Sequence, residues 1–147
     1  MFKRILVPLE HSPTDEAILT YIRPLAGASH AALVLIHVAD GWVARNIQQL
    51  DLRESEEMKD DFGYLDRVCN DLRQDGFNVE AVLAAGDPAR EIAAAAEREK
   101  CDLIAMATHG HRLLADVVRG SVASELRHIT TVPVLMVREN KRRKEET

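Results

Sequence analysis

The chain is poor in the residues that would tie it to oxidising chemistry, membranes or nucleic acid. It has only two cysteines in 147 residues. Cys69 and Cys101 lie far apart with no CxxC or Cys/His neighbourhood, which excludes zinc and redox-motif readings. As small apolar groups they are expected to fill the core, as suits a reducing compartment. Aromatics make up 4% of the chain and the net charge is −5, so no overall basic field recruits nucleic acid or an anionic membrane. The one basic cluster, "KRRKEET" at residues 141–147, closes on two acids and reads as a solvated tail. Long apolar runs are missing too. "MFKRILVPLE" is broken by Pro8 and Glu10, too short for a signal peptide or a membrane span. The expectation is a cytoplasmic chain with one domain over residues 1–140, long enough for a single two-sided core.

What is present is a regular alternation. "KRILVPL", "AALVLIHVAD", "FNVEAVLAAG", "CDLIAMATHG" and "VPVLMV" are short apolar runs rich in branched residues, the pattern of buried strands. Between them come helical patterns. Ser12 and Thr14 are cap candidates ahead of Ile18, Ile22 and Leu25, with Gly27 as the stop and Pro24 expected to kink or shorten the last turn. From Asp40 to about Ser55 no period is clean, and a loop is expected. Met58, Phe62, Leu65, Cys69 and Leu72 then form one apolar stripe closed by Gly76. Asp87 followed by Pro88 is a helix-start signal. Ser121 to Ile129 carries Val122, Leu126 and Ile129 on one face. Strand–helix repetition of this kind predicts a doubly wound α/β fold: a five-stranded parallel sheet, order 3-2-1-4-5, sandwiched by four helices.

In such a sheet a ligand sits beyond the carboxyl ends of the strands, where the strand order reverses. Gly110 follows the fourth strand, and Gly120-Ser121 opens the next helix after nine intervening residues. Gly110 lets the backbone form a concave anion nest. Ser121 and Val122 offer N–H groups at a helix N-terminus, where the dipole favours negative charge. His111, Arg112 and Arg119 are placed to meet phosphate charge. Glu10, at the end of the first strand, is placed to accept hydrogen bonds from a ribose hydroxyl or an adenine amino group.

On these residues the chain resembles the nucleotide-binding members of the universal stress protein family, from Lys3 to Val137. "ILVPLEHSPTDEAI", "LVLIHVAD", "GDPAREIAAAA" and "DLIAMATHG" carry the likeness. The family's phosphate motif is Gly, two residues, Gly, nine residues, Gly-Ser or Gly-Thr. Here it reads Ala107, Thr108-His109, Gly110, nine residues, Gly120-Ser121. The resemblance implies that Pro8, Leu9 and Glu10 flank the adenosine and that Val38 meets the adenine through its backbone. Met106, Ala107, His109 and Gly110 would line the base, ribose and inner phosphates, and Gly120, Ser121 and Val122 the outer phosphates. It implies ATP as ligand, with Mg²⁺ riding on the triphosphate. It also implies a homodimer through the last strand, Val132–Val137, and a role as a stress-response sensor or regulator. Three departures stand out: Ala107 for the first glycine, Glu10 for the usual Asp, and Leu113-Leu114 where another glycine is common.

Other readings fare less well. His109 and His111 bracket Gly110 but have no acidic or Cys partners nearby in sequence to complete a metal site. His37, inside a strand, reads as a hydrogen-bonded core or rim histidine. No GxSxG elbow exists, and His11, Ser12 and Asp15 show no triad pattern. A phospho-acceptor receiver domain shares the architecture, yet Glu10 lacks an acidic neighbour and the last strand ends without Lys. A slow ATPase or autokinase remains the enzymatic alternative, and a nucleotide-free protein of the same fold, acting through dimerisation and protein interaction, the other.

Overall fold

Strands that are apolar along their whole length must be covered on both faces, and the chain alternates strand and helix to do so. The computed structural model describes residues 1–40, 52–108 and 122–138. Its elements are β1 (Arg4–Pro8), α1 (Asp15–Ser29), β2 (Ala32–Asp40), α2 (Leu52–Gln74), β3 (Val79–Gly86), α3 (Pro88–Arg98), β4 (Leu103–Thr108), α4 (residues 122–129) and β5 (Val134–Arg138). The five strands form one parallel sheet in the order β3-β2-β1-β4-β5, as the alternation predicts.

Side chains alternate across the pleat, and so divide into two cores. Ile5, Val7, Leu33 and Leu35 face α1 and α2, meeting Ile18, Ile22, Leu65 and Leu72. Leu6, Val34, Ile36 and Ile104 face the other way, onto Ile92, Ala95, Ala96 and Leu126. The cysteines divide likewise. Cys69 belongs to the first core and Cys101 to the second; both are free and buried. Burial raises both thiols above their ordinary value, Cys101 to about 11, so neither is a nucleophile near neutral pH.

Several boundaries differ from expectation. Helix α1 runs past both Pro24 and Gly27 to Ser29, ending at His30 in the left-handed region (φ 54°) with its N–H on the Ala26 carbonyl. Pro24 is exposed. Its ring and the missing hydrogen bond therefore face water, while Ile22 and Ala26 stay buried and hold the helix to the sheet. Helix α2 begins at Leu52, inside the stretch expected to be a loop. "LRESEE" is acidic and rich in helix formers, which favours a helix start without any apolar period. Phe62 is 57% exposed and leaves the stripe, whereas Leu65, Cys69 and Leu72 are buried. Ile129 is 45% exposed although Leu126 is fully buried; it lies in the last turn of α4.

Helix α3 starts as expected, with the Asp87 side chain accepting from the Arg90 N–H at 3.1 Å and Pro88 in the first turn. Gly86, just before it, has φ +138°, a conformation that favours glycine. A Cβ there would also meet Glu91 Oε1 at 2.8 Å, but that carboxylate is the end of a flexible side chain and can swing aside. Gly86→Ala is therefore expected to cost about 1–2 kcal/mol through backbone strain alone, read as a shifted urea midpoint with an unchanged slope.

Candidate functional site

The site follows from where the central strands stop pairing. β1 and β4 pair only at Ile5↔Leu103 and Leu6↔Ile104. β1 stays with β2 as far as Pro8↔Ile36, and β4 stays with β5 as far as Thr108↔Arg138. Beyond Leu6 the two halves of the sheet part, at the point where strand order reverses. The cause lies in the sequence. Backbone groups of a strand point to alternate edges, and the Arg4 carbonyl takes the Asp102 N–H at 2.9 Å, so residues 4, 6 and 8 turn toward β4. Pro8 has no N–H to offer there.

The same alternation orients the walls. The Leu9 N–H donates to the Ile36 carbonyl at 2.8 Å, so even residues of β2 face β1. Val38 then turns its N–H and C=O toward the parting, past the last β1–β2 pair. Ile104 donates to the Pro133 carbonyl at 2.9 Å, so even residues of β4 face β5, and Ala107 turns its backbone groups to the parting. Burial drops here as well: Pro8, Val38, Met106, Ala107 and Thr108 are half-buried, whereas Val7, Ile36 and Ala105 are buried. Val38, Met106 and Val122 pack against the second core and Ala107 against the first. Apolar, half-open side chains with backbone donors and acceptors between them match what a purine needs: a flat apolar slot and a polar edge. The residues present thus fit an adenine.

The wall beyond β1 is polar and tightly organised. Ser12 and Thr14 were the expected caps of α1, but Thr14 makes no side-chain capping bond. Asp15 does the work from inside the first turn. Its carboxylate accepts the N–H groups of Glu10 and His11 at 2.9 Å each and of Ser12 at 3.3 Å. The Tyr64 hydroxyl donates to it at 2.6 Å. Burial first, and then this bond to Asp15, hold the Tyr64 phenol well above its ordinary value. His11 adopts φ 61° and stacks on the Tyr64 ring, centroids 4.1 Å apart. His37, as expected, is a hydrogen-bonded rim histidine: its Nδ1 lies 2.9 Å from the Leu9 carbonyl. Glu10 is exposed at the mouth, with the Ser12 hydroxyl 3.4 Å from its Oε2.

Of the sequence-derived site residues, the structure brings Pro8, Leu9, Glu10, Val38, Met106, Ala107 and Val122 to this end of the sheet. Leu9 is buried, 3% exposed, and its side chain belongs to the first core, so only its backbone borders the opening. His109, Gly110, His111, Arg112, Gly120 and Ser121 lie outside the described residues. Asp61 and Tyr64 were not singled out by sequence, and Asp15 was weighed only as a triad member with His11 and Ser12. The one available signal was an acid three residues after Ser12 in a first helical turn, which is also an ordinary helix feature.

Another hollow, of about 430 Å³, lies at the opposite rim, lined in part by Lys3, His30, Asp75 and Asn78. The carboxyl ends of α1 and α2 point there, and their dipoles disfavour an anion. That rim is also engaged in internal pairing. Asp102 accepts the Lys3 and Arg4 N–H groups, and Arg4 bridges Glu80 and Glu99 at 3.0 Å each. Among the described residues there is no cluster of three metal-ligating side chains, and no helix is long and apolar enough to cross a membrane.

Comparison with known proteins identifies the family. The profile of the universal stress protein family matches residues 1–138. The universal stress protein MJ0577 of Methanocaldococcus jannaschii is 27% identical, the match covering 94% of this chain and 96% of that one. Its solved structure superposes with a TM-score of 0.82 at 26% identity, covering 96% and 99% of the two chains. A universal stress protein from Archaeoglobus fulgidus solved in complex with dAMP has a TM-score of 0.66 at 18% identity, covering 92% and 97%. Another, solved in complex with cAMP, has a TM-score of 0.68 at 19% identity, covering 93% and 97%.

Proposed function

This chain belongs to the universal stress protein family, and from that premise we propose that it binds an adenine nucleotide, ATP in the full reading, where β1 and β4 part, and that it acts as a stress-response sensor or regulator. The observation that carries the reading is the loss of β1–β4 pairing after Leu6↔Ile104, which leaves the backbones of Val38 and Ala107 turned toward an apolar, half-open cleft. The dAMP and cAMP complexes of two similarly folded relatives support an adenine there. Gly110, Gly120, Ser121 and Val122 are the proposed phosphate holders, with His111 and Arg112 meeting the charge and Mg²⁺ carried by the phosphates and water. Ala107 in place of the motif glycine is compatible with this arrangement, because its methyl packs into the first core, away from the backbone edge offered to the ligand. The protein is read as a binder whose occupancy is sensed by a partner, not as a catalyst.

The homodimer is proposed through β5. This is an edge strand, and Leu135 and Met136 on it are 37% and 44% exposed. An apolar edge invites pairing with a second copy. The same observation favours the second reading, a nucleotide-free protein acting through that interface. Isothermal titration of the purified dimer with ATP and Mg²⁺ separates the two, and binding in the micromolar to low-millimolar range is expected. No heat at about 10 mM nucleotide, a concentration at which even millimolar affinity would register, would leave only the second reading.

A further inference from the structure

Nucleotide binding leaves one half-buried group of side chains without a part. The turn after β1 supplies His11, β2 supplies His37, and α2 supplies Asp61 with Tyr64. His37 Nδ1 contacts the Leu9 carbonyl at 2.9 Å. A carbonyl only accepts, so Nδ1 carries a hydrogen. The other ring nitrogen, Nε2, faces Asp61 Oδ2 at 3.3 Å. In a neutral ring with its hydrogen on Nδ1, Nε2 is a lone pair, and it would then be turned toward a carboxylate. The second oxygen, Oδ1, is engaged by His11 Nδ1 at 2.7 Å. Donors and acceptors balance only if the His37–Asp61 pair holds one additional proton. The two side chains are 13% and 24% exposed, so water screens the alternative repulsion only in part.

We propose that Asp61 is a positioning residue for the nucleotide rim, clamping α2 to the Leu9–His11 turn through a proton it shares with His37. The ligand in this inference rests on the adenine-nucleotide reading above; the proton does not. Among the described residues, His11 meets Asp61 directly, and the titratable or charged groups about the neighbouring Asp15 and Tyr64 include Glu10 from the turn, Glu16 from α1 and Arg67 from α2. Asp15 is already met by three N–H groups and the Tyr64 hydroxyl. Asp61 is therefore the carboxylate left to answer His37. When the proton leaves at higher pH, the contact turns repulsive, α2 loosens from the turn, and the wall beside the adenosine loses its support. Asn at position 61 keeps the shape while removing the need for the proton. Its amide donates to Nε2 and its carbonyl accepts from His11.

The test is ATP titration from mildly acid to mildly alkaline pH, with histidine-ring ¹H–¹⁵N spectra recorded on the same proteins without nucleotide. Wild-type affinity is expected to fall about tenfold over the range, the scale of one charge-assisted hydrogen bond. Asp61→Asn is expected to flatten the profile, and Asp61→Ala to bind more weakly throughout. The spectra should show both His37 nitrogens protonated in the wild type at a pH where Asp61→Asn carries hydrogen on Nδ1 alone. Identical His37 spectra in the two proteins overturn the proposal whatever the binding data say, and so does a wild-type slope that survives in Asp61→Asn. If the spectra differ as expected while no protein binds ATP at any pH, the shared proton stands. The nucleotide reading then falls, and the positioning role with it.

Discussion

Asp15→Ala is expected to lower the unfolding free energy by about 3 kcal/mol, more than any other polar substitution in the described residues. Asp15 is 2% exposed, and its two oxygens collect the N–H groups of Glu10, His11 and Ser12 together with the Tyr64 hydroxyl. Alanine would leave three main-chain donors and one phenol without their acceptor, and a buried donor left unmet costs about 1–3 kcal/mol. The sum is not reached, because Glu10 and His11 are exposed and water can re-enter the turn. Tyr64→Phe removes one donor and leaves the other three in place, so about 1 kcal/mol is expected. Urea unfolding of the two variants checks the order. Equal losses would mean that Asp15 acts mainly through the tyrosine and not as the organiser of the turn.

Leu126→Ala is expected to cost about 3 kcal/mol, the usual range for a fully buried leucine being 2–5. Leu126 is 0% exposed and packs with Leu6, Ile36 and Ile104. The described turns of α4, residues 122–129, are too few to hold themselves together in water without a packed face. Val122 on the same face is only half-buried, which leaves Leu126 as the main anchor. Hydrogen exchange should therefore quicken in α4 beyond the global change. Ile129→Ala, on the same helical stripe but 45% exposed, is expected to change stability by under about 0.5 kcal/mol. A large loss at Ile129 and a small one at Leu126 would reverse this account of how the helix docks.

The sheet was legible because its strands are made of residues such as Ile5, Leu6, Val34 and Ile36, which tolerate nothing but burial on both faces. With the crossovers right-handed and the links short, one strand order was favoured, and the carboxyl rim with its crevice followed from it. The ends of elements were less legible. Gly27 and Pro24 are stop signals by local propensity, yet the buried Ile22 and Ala26 carry α1 past them. Leu52 opens α2 with acids and helix formers in place of a periodic stripe, so a reading based on apolar spacing starts the helix six residues late. Phe62 and Ile129 satisfy the spacing but are 57% and 45% exposed, so helical period alone did not decide which side chains are buried. At the site, Pro8, Val38 and Ala107 were picked out by the family resemblance, within segments that the strand ends place at the rim. Asp15, Asp61 and Tyr64 were not, because what joins them is the approach of α2 to the turn after β1, and no local pattern encodes an approach across about fifty residues of chain.

The division of the interior by the sheet has a consequence for following the protein as it opens. One sulfur is carried by α2 on its sheet-facing side and the other lies in the core that α3 covers, each buried and set apart from its twin by the sheet. Nature has thus supplied a two-channel gauge: whichever flank peels away first exposes its own thiol, and the order of alkylation records which side of the sandwich gave way.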